Sequence, residues 1–358
     1  IYALFISFFI PHDNLLFIDT LITYLKAVII FFLVLLLVDN RKKLLNLISV
    51  LGISVFIEFL IAALQQFGIG YEGEVQGGLF DWKNNLLLTT SSVFRSQGTF
   101  SHPNYLGSYL ALILPLIFCF ILFNKKRVII IAQVVVFSLG LSMLIVTFSR
   151  SAWIAFLLGM FFIIKHLVNQ KIFSQNKLTT ILNGKRKYIF LLFFVIILIF
   201  FPLINERINL DIDLTNSVQT RLDLIEESIN IIKDQPLFGI GLGNFRTGLV
   251  EANNTTTKIS TAFVNPVHNG YLELLSETGI IGFILFFLFV KDQFVYGIMH
   301  LTKTPGQKRE FLIYLGILGG VTAFMMIMLF SNLEEEIILP FFLIIALFKA
   351  LPLHSQYT

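Results

Sequence analysis

Long apolar runs alternate with short polar connections along this chain, and several reach the roughly 20 residues needed to cross about 30 Å of hydrocarbon. They predict helices at 15–38, 44–67, 104–123, 128–148, 152–165, 188–204, 270–290, 311–330 and 337–350. A shorter apolar run at 1–10 stops at Pro11 and reads as part of one further span; no basic region precedes it, so it does not read as a signal peptide. The expected fold class is therefore all-α: a polytopic transmembrane helix bundle of about nine or ten spans, forming a single integral-membrane domain over 1–358. The runs at 152–165 and 337–350 fall short of a full crossing and are expected to tilt, extend or sit partly re-entrant. Two connections are long. The first covers 68–103. The second, 205–268, holds an amphipathic stretch at 217–233 with Leu222, Ile225, Ile229 and Ile232 on one face. Long loops tend to carry function, and part of an active site is expected in the second.

Composition supports lipid as the solvent. The chain is 56% hydrophobic and 13% charged, with 40 Phe and mean hydropathy +0.83, whereas soluble domains are about a quarter charged. A net charge of +4 could suggest nucleic acid, but membrane spans interrupt the basic residues, which report topology instead. The connections at 41–43, 125–127, 165–187 and 291–309 and the tail with Lys349 carry 3, 3, 6, 4 and 1 Lys/Arg and fall on one side of every alternation. That side is expected to be cytoplasmic. The opposite connections, longer in total, hold only eight: Lys83, Arg95, Arg150, Arg207, Arg221, Lys233, Arg246 and Lys258. Cys119 is the only cysteine, which excludes an internal disulfide or a Cys-based metal site.

Arginines on the outer side ask for a reason. Arg95 lies in Phe94-Arg95-Ser96-Gln97-Gly98-Thr99-Phe100-Ser101-His102-Pro103-Asn104, Arg150 in Thr147-Phe148-Ser149-Arg150-Ser151, and Arg221 opens the amphipathic stretch. Arg150 sits in a very tight connection between two spans, where a permanent charge is expensive unless it faces a cavity or a partner. Each has a plain alternative: snorkelling to lipid phosphates for Arg150, pairing with an acid such as Asp81 for Arg95, pairing with Glu226 or Asp223 for Arg221. Converging guanidinium forks would instead make a diphosphate site without metal. Asp211, Asp213 and the acids at 334–336 could hold a divalent ion, but a run of acids at the start of a helix reads better as a solvated cap. His268, in Asn265-Pro266-Val267-His268-Asn269-Gly270, is the natural proton acceptor, ranked above His102; Glu273 or Glu277, about one turn on, could orient it. The Gly-x-Gly-x-Gly of Gly239-Ile240-Gly241-Leu242-Gly243 has no strand–helix unit around it, so its glycines are expected to serve close backbone turns rather than a nucleotide.

Taken in order, these segments resemble the bacterial O-antigen ligase and O-antigen or capsule polymerase superfamily of membrane glycosyltransferases. The resemblance spans roughly 94–282. It rests on the segment from Arg95 to Asn104, on Thr147 to Ser151, on Arg221 followed by the turn from Pro236 to Phe245, and above all on His268-Asn269, nine residues, Gly279, two residues, Gly282. A small residue or Tyr usually follows that pattern in ligases, whereas this chain has Phe283.

The resemblance implies a reaction independent of metal or cofactor at the extracytoplasmic face of the bacterial cytoplasmic (inner) membrane. An undecaprenyl-diphosphate-linked oligosaccharide would be transferred to an acceptor hydroxyl on a glycan or on lipid A core, with inversion at the anomeric centre. By the same resemblance His268 would be the base, Arg150 and Arg221 would bind the diphosphate, and Arg95 would add a phosphate or sugar contact. Asn269, Glu273, Glu277, His102 and Asn104 would support them. Polymerase stands slightly ahead of ligase on Phe283; protein O-glycosylation by the same chemistry stays open. The competing reading is a non-enzymatic transporter or flippase of lipid-linked sugars, which would place charges mid-span; Lys26 and Glu58 are the clear cases here.

Overall fold

The computed structural model describes residues 14–66, 95–124, 126–169, 214–245, 248, 268–303 and 308–350. The expected spans at 1–10 and 188–204, most of the first long connection, Asp81, Asp211 and Asp213 lie outside the described residues, as does much of the second connection. Among the described residues there is no strand, and nine helices follow in order. We label them α1 (Asn14–Leu37), α2 (Arg41–Gln66), α3 (Pro103–Phe123), α4 (Arg127–Val146), α5 (Arg150–Asn169), α6 (Leu214–Asp234), α7 (Gly270–Lys303), α8 (Lys308–Ile327) and α9 (Glu335–Ala350). Seven of these, all but α6 and α9, are long and apolar enough to cross a membrane.

Two of the apolar runs form the centre and the others surround it. In α3 and α8, 89% and 78% of the most apolar window is buried, against 17% in α1 and 22% in α2. A helix apolar all round belongs inside, or against lipid, rather than in water. α8 packs on α3 and α5, α9 on α1, α2 on α4, and α6 on α7. Small residues set these distances: a Cβ on Gly159 of α5 would come within 2.6 Å of the Gly319 carbonyl of α8, so the two backbones nearly touch, as in membrane helix packing generally. Phe324 and Phe341 stack between α8 and α9 with ring centroids 3.5 Å apart.

Two helices outrun their sequence-based limits. The span expected at 152–165 is the 20-residue α5, long enough to cross. The span expected at 270–290 is the 34-residue α7, interrupted by non-helical backbone at Gly279. In both, the expectation ended near a charge, Lys165 or Lys291, whereas helical hydrogen bonding continues past such residues and a cation is well placed near a helix C-terminus. Beyond Lys291, α7 is held by Lys349, whose Nζ lies 3.5 Å from Asp292 Oδ2 and 4.1 Å from the Tyr296 ring centre.

The two mid-span charges both have partners. Lys26 Nζ donates to both carboxylate oxygens of Glu335 at 2.8 Å. Glu58 accepts from the Thr99 backbone N–H at 2.9 Å and the Thr99 hydroxyl at 2.6 Å.

Candidate active site

The starts of α3, α5, α7 and α9 meet at one end of the bundle, where Arg95, His102, Asn104, Arg150, His268 and Asn269 lie, whereas the Arg221 side chain is outside the described residues. The segment 95–102 runs across that end. Gln65 at the close of α2 donates to the Gly98 carbonyl at 2.7 Å and accepts from the Gly98 N–H at 2.9 Å. Glu336 at the start of α9 accepts from the backbone N–H and hydroxyl of Ser101 at 2.7 and 2.8 Å. So fixed, the segment delivers His102 to the N-cap of α3, where its Nδ1 accepts from the Asn104 N–H at 3.1 Å and Pro103 takes the first helical position.

Arg95 is aimed by its neighbours. Its Nε donates to the Thr147 carbonyl at 2.8 Å and a terminal nitrogen donates to Asn104 Oδ1 at 2.6 Å. The same Thr147 begins the tight turn into α5. Phe148 takes a left-handed φ of 50°, and Arg150 follows as the first residue of the helix, exposed. A left-handed aromatic residue is uncommon and costs on the order of 1–3 kcal/mol; here it turns the chain within two residues and leaves the Arg150 cation on the positive end of the α5 dipole. Like charge at a helix N-terminus is unfavourable, and an anion there would relieve it.

His268 has the second left-handed non-glycine backbone, φ 51°. Behind it, Asn269 Oδ1 accepts from the Tyr271 and Leu272 N–H groups at 3.1 Å each and so caps α7. The Gly270 N–H donates to the Met328 carbonyl at 2.8 Å, tying the turn to the end of α8. His102 links this turn to the first segment. Its ring still reaches solvent, yet the protein packed around it displaces enough water to push its pKa down, and the Arg95 guanidinium and then the His268 imidazole push it further, to about 4. One ring therefore feels both Arg95 and His268, which lie far apart in the chain. His102 is neutral at pH 7.

Arg221 lies on α6. That helix packs through Leu224 and Ile231 on Phe245, with Leu272 against them, which brings the second long connection to the start of α7. The Gly-x-Gly-x-Gly turn is laced into the break in α7. Ile240 N–H donates to the Ser276 carbonyl at 2.9 Å, Gly241 N–H to Glu277 at 3.0 Å and Ile280 N–H to Pro236 at 2.9 Å. Gly239 and Gly279 have φ 71° and 64°, and a Cβ on either would fall onto the other segment's backbone. These glycines let two main chains cross in close contact, as the expected close backbone turns require.

Glu273 and Glu277 take structural partners: Glu273 accepts from the Leu333 N–H at 2.9 Å and Glu277 from the Phe245 N–H at 3.3 Å. Both line a polar cavity of about 190 Å³ with Asp19, Tyr24, Glu334 and Glu335. Sequence reasoning missed the tethering roles of Gln65 and Glu336. The acid run at 334–336 was the only signal available for Glu336, and it reads equally well as a solvated cap. Phe283, the departure from the ligase pattern, packs on Tyr271 and Phe287 with centroids 6.5 and 4.7 Å away.

Residues 135–287 match the family model of O-antigen ligase. This match supports the resemblance to the O-antigen ligase superfamily over that stretch. The matched stretch contains Arg150, Arg221, His268, Gly279 and Gly282, whereas Arg95 and His102 precede it. No curated protein matches the chain. Together with seven helices long and apolar enough to cross a membrane, the match points to a multi-pass membrane protein.

Proposed function

We propose that the protein transfers a glycan from undecaprenyl diphosphate to an acceptor hydroxyl at the extracytoplasmic face of the bacterial cytoplasmic membrane. The observation that supports this reading is the placing of Arg95, whose Nε donates to the Thr147 carbonyl at the turn that leads into Arg150 and which, with His268, bears on the His102 ring. His268 takes the proton of the acceptor hydroxyl, whose oxygen forms a bond to the anomeric carbon as the bond to the diphosphate oxygen breaks. The electron pair leaves on undecaprenyl diphosphate, where Arg150 and Arg221 neutralise the growing charge. Arg95, oriented by Thr147 and Asn104, contacts sugar or phosphate. His102, neutral at pH 7, caps α3, Asn269 caps α7, and Glu273 and Glu277 hold the surrounding turns. The chemistry asks for a base and fixed cations.

Lys26 and Glu58, the mid-span charges that a transporter would use, hold helix and loop here, which favours the enzymatic reading over the transporter one. Polymerase is favoured over ligase by Phe283. The test is proteoliposomes supplied with lipid-linked repeat units, with and without lipid A core. Laddered product without lipid A core identifies a polymerase, and transfer only onto lipid A core identifies a ligase. His268→Ala lowers either activity by about 100-fold or more while insertion is preserved; activity within a few-fold of wild type would overturn the role of His268.

A further inference from the structure

Helix α6 has three faces. Leu224, Ser228 and Ile231 are buried toward α7 and the glycine turn. Asp223, Glu226, Asn230 and Lys233 are exposed and polar. Between these, at about 100° per residue, comes an apolar face on which Leu222 is 53% and Ile229 41% exposed. The chain leaving α6 adds Leu237 and Phe238, also exposed. That elbow is bonded to α7, since the Ile280 and Ile281 N–H groups donate to the Pro236 and Leu237 carbonyls. Next to it Ile280 and Ile284 lie exposed on a helix long and apolar enough to cross the membrane. The exposed apolar surface of the elbow therefore continues into the lipid-facing surface of α7.

We propose that the face of α6 bearing Leu222 and Ile229, with Leu237 and Phe238, lies in the lipid leaflet on the His268 side of the membrane, making α6 an interfacial helix. The partner is lipid. Continuity with α7 places the elbow at the edge of the hydrocarbon, and an amphipathic helix laid in the interface buries its apolar side by about 5–10 Å. The attraction is apolar: among residues 222–234, Asp223, Glu226, Glu227 and Asp234 outnumber Lys233, so anionic headgroups are not needed. A consequence, which rests on the reading under Proposed function, concerns Arg221. One position before Leu222 and three before Leu224, its helical register falls between the membrane face and the buried face, so an interfacial α6 would hold that position near the headgroup level.

The test is site-directed fluorescence on the full chain in phosphatidylcholine vesicles. Bimane is placed at Leu222→Cys, Ile229→Cys or Phe238→Cys, with Ile284→Cys as the lipid-facing reference and Glu226→Cys as the polar-face reference. Lipids brominated near the headgroup end of their acyl chains should quench the first three about twofold, as at position 284, and leave position 226 nearly unchanged. Replacing part of the phosphatidylcholine with anionic lipid should not alter the pattern. Quenching of positions 222 and 229 by aqueous iodide as strongly as position 226 overturns the proposal, as does shielding from both quenchers, which would mean that protein covers the face. Glycan transfer, measured separately on unlabelled protein, reports on the catalytic reading alone: His268→Ala removes transfer and leaves the quenching pattern intact.

Discussion

Two segments cross the same end of the bundle and are held in opposite ways. Residues 95–102 are tethered by side chains: Glu58 and Gln65 reach from α2, Glu336 from α9, and Arg95 reaches back to Thr147. The turn at 236–243 is held chiefly by main chain against main chain at the Gly279 break, with two glycines where the strands of backbone cross. The first arrangement divides its stability among several separate bonds, each replaceable in part by a chemically similar group. The second depends on the absence of any side chain, so it tolerates no substitution at the crossing.

The largest effect that follows is at the crossing itself. Gly279→Ala would add a Cβ onto the Leu237 backbone at a left-handed φ, and should destabilise the protein by about 2–5 kcal/mol. Thermal melts of the detergent-solubilised protein measure this; a melting temperature equal to wild type would erase the contrast between the two segments. A smaller loss should follow Glu58→Ala, which strips two acceptors from Thr99, at about 1–3 kcal/mol. Glu58→Gln keeps one amide oxygen and should fall between Ala and wild type in the same melts. An equal loss for Ala and Gln would show that the charge, and not the hydrogen bonds, holds the loop.

The smallest effect depends on pH. The pKa of His102 is lowered in the folded protein to about 4, against about 6.5 in an unfolded chain. Between those values the unfolded chain binds the extra proton, so this contribution is fully present above about pH 6.5 and is lost as pH falls toward 4. Protonation also removes the Nδ1 acceptor that caps α3. His102→Asn supplies another capping oxygen. It should therefore melt close to wild type at pH 7 and show a shallower fall in melting temperature between pH 7 and pH 5. Parallel curves for the two proteins would remove His102 from the tethering of the first segment.

The helices were legible because apolar length alone dictates them: α1, α3 and α4 fall within two residues of expectation at each end. The far ends of α5 and α7 were not, since a charge at Lys165 or Lys291 looks like the end of a span although it is only the end of the apolar part. Arg95, Arg150 and His268 could be singled out from the sequence because cations and histidines are few in the connections expected to face outward. The sequence also marked Gly239 and Gly279 by their spacing. It could not say that they face one another, because a close approach between distant backbones leaves no local pattern. Glu58 stood out only as a charge inside a span, a description that fits a transport relay as well as a loop tether until Thr99 is placed beside it.

The interruption at Gly279 divides α7 into a short outer arm and a long inner one. A bilayer thinner or thicker than average is met by tilting the helices that cross it, and in an unbroken rod that tilt would swing the residues at its tip. Here the short arm is moored at Ser276 and Glu277 to the glycine turn and at Gly270 to α8, and the long arm is tied to the same turn only at its first residues, Ile280 and Ile281. Because these bonds tie the start of α7 to its neighbours, the aim of the imidazole at position 268 should survive changes in acyl-chain length that reorient the rest of the helix.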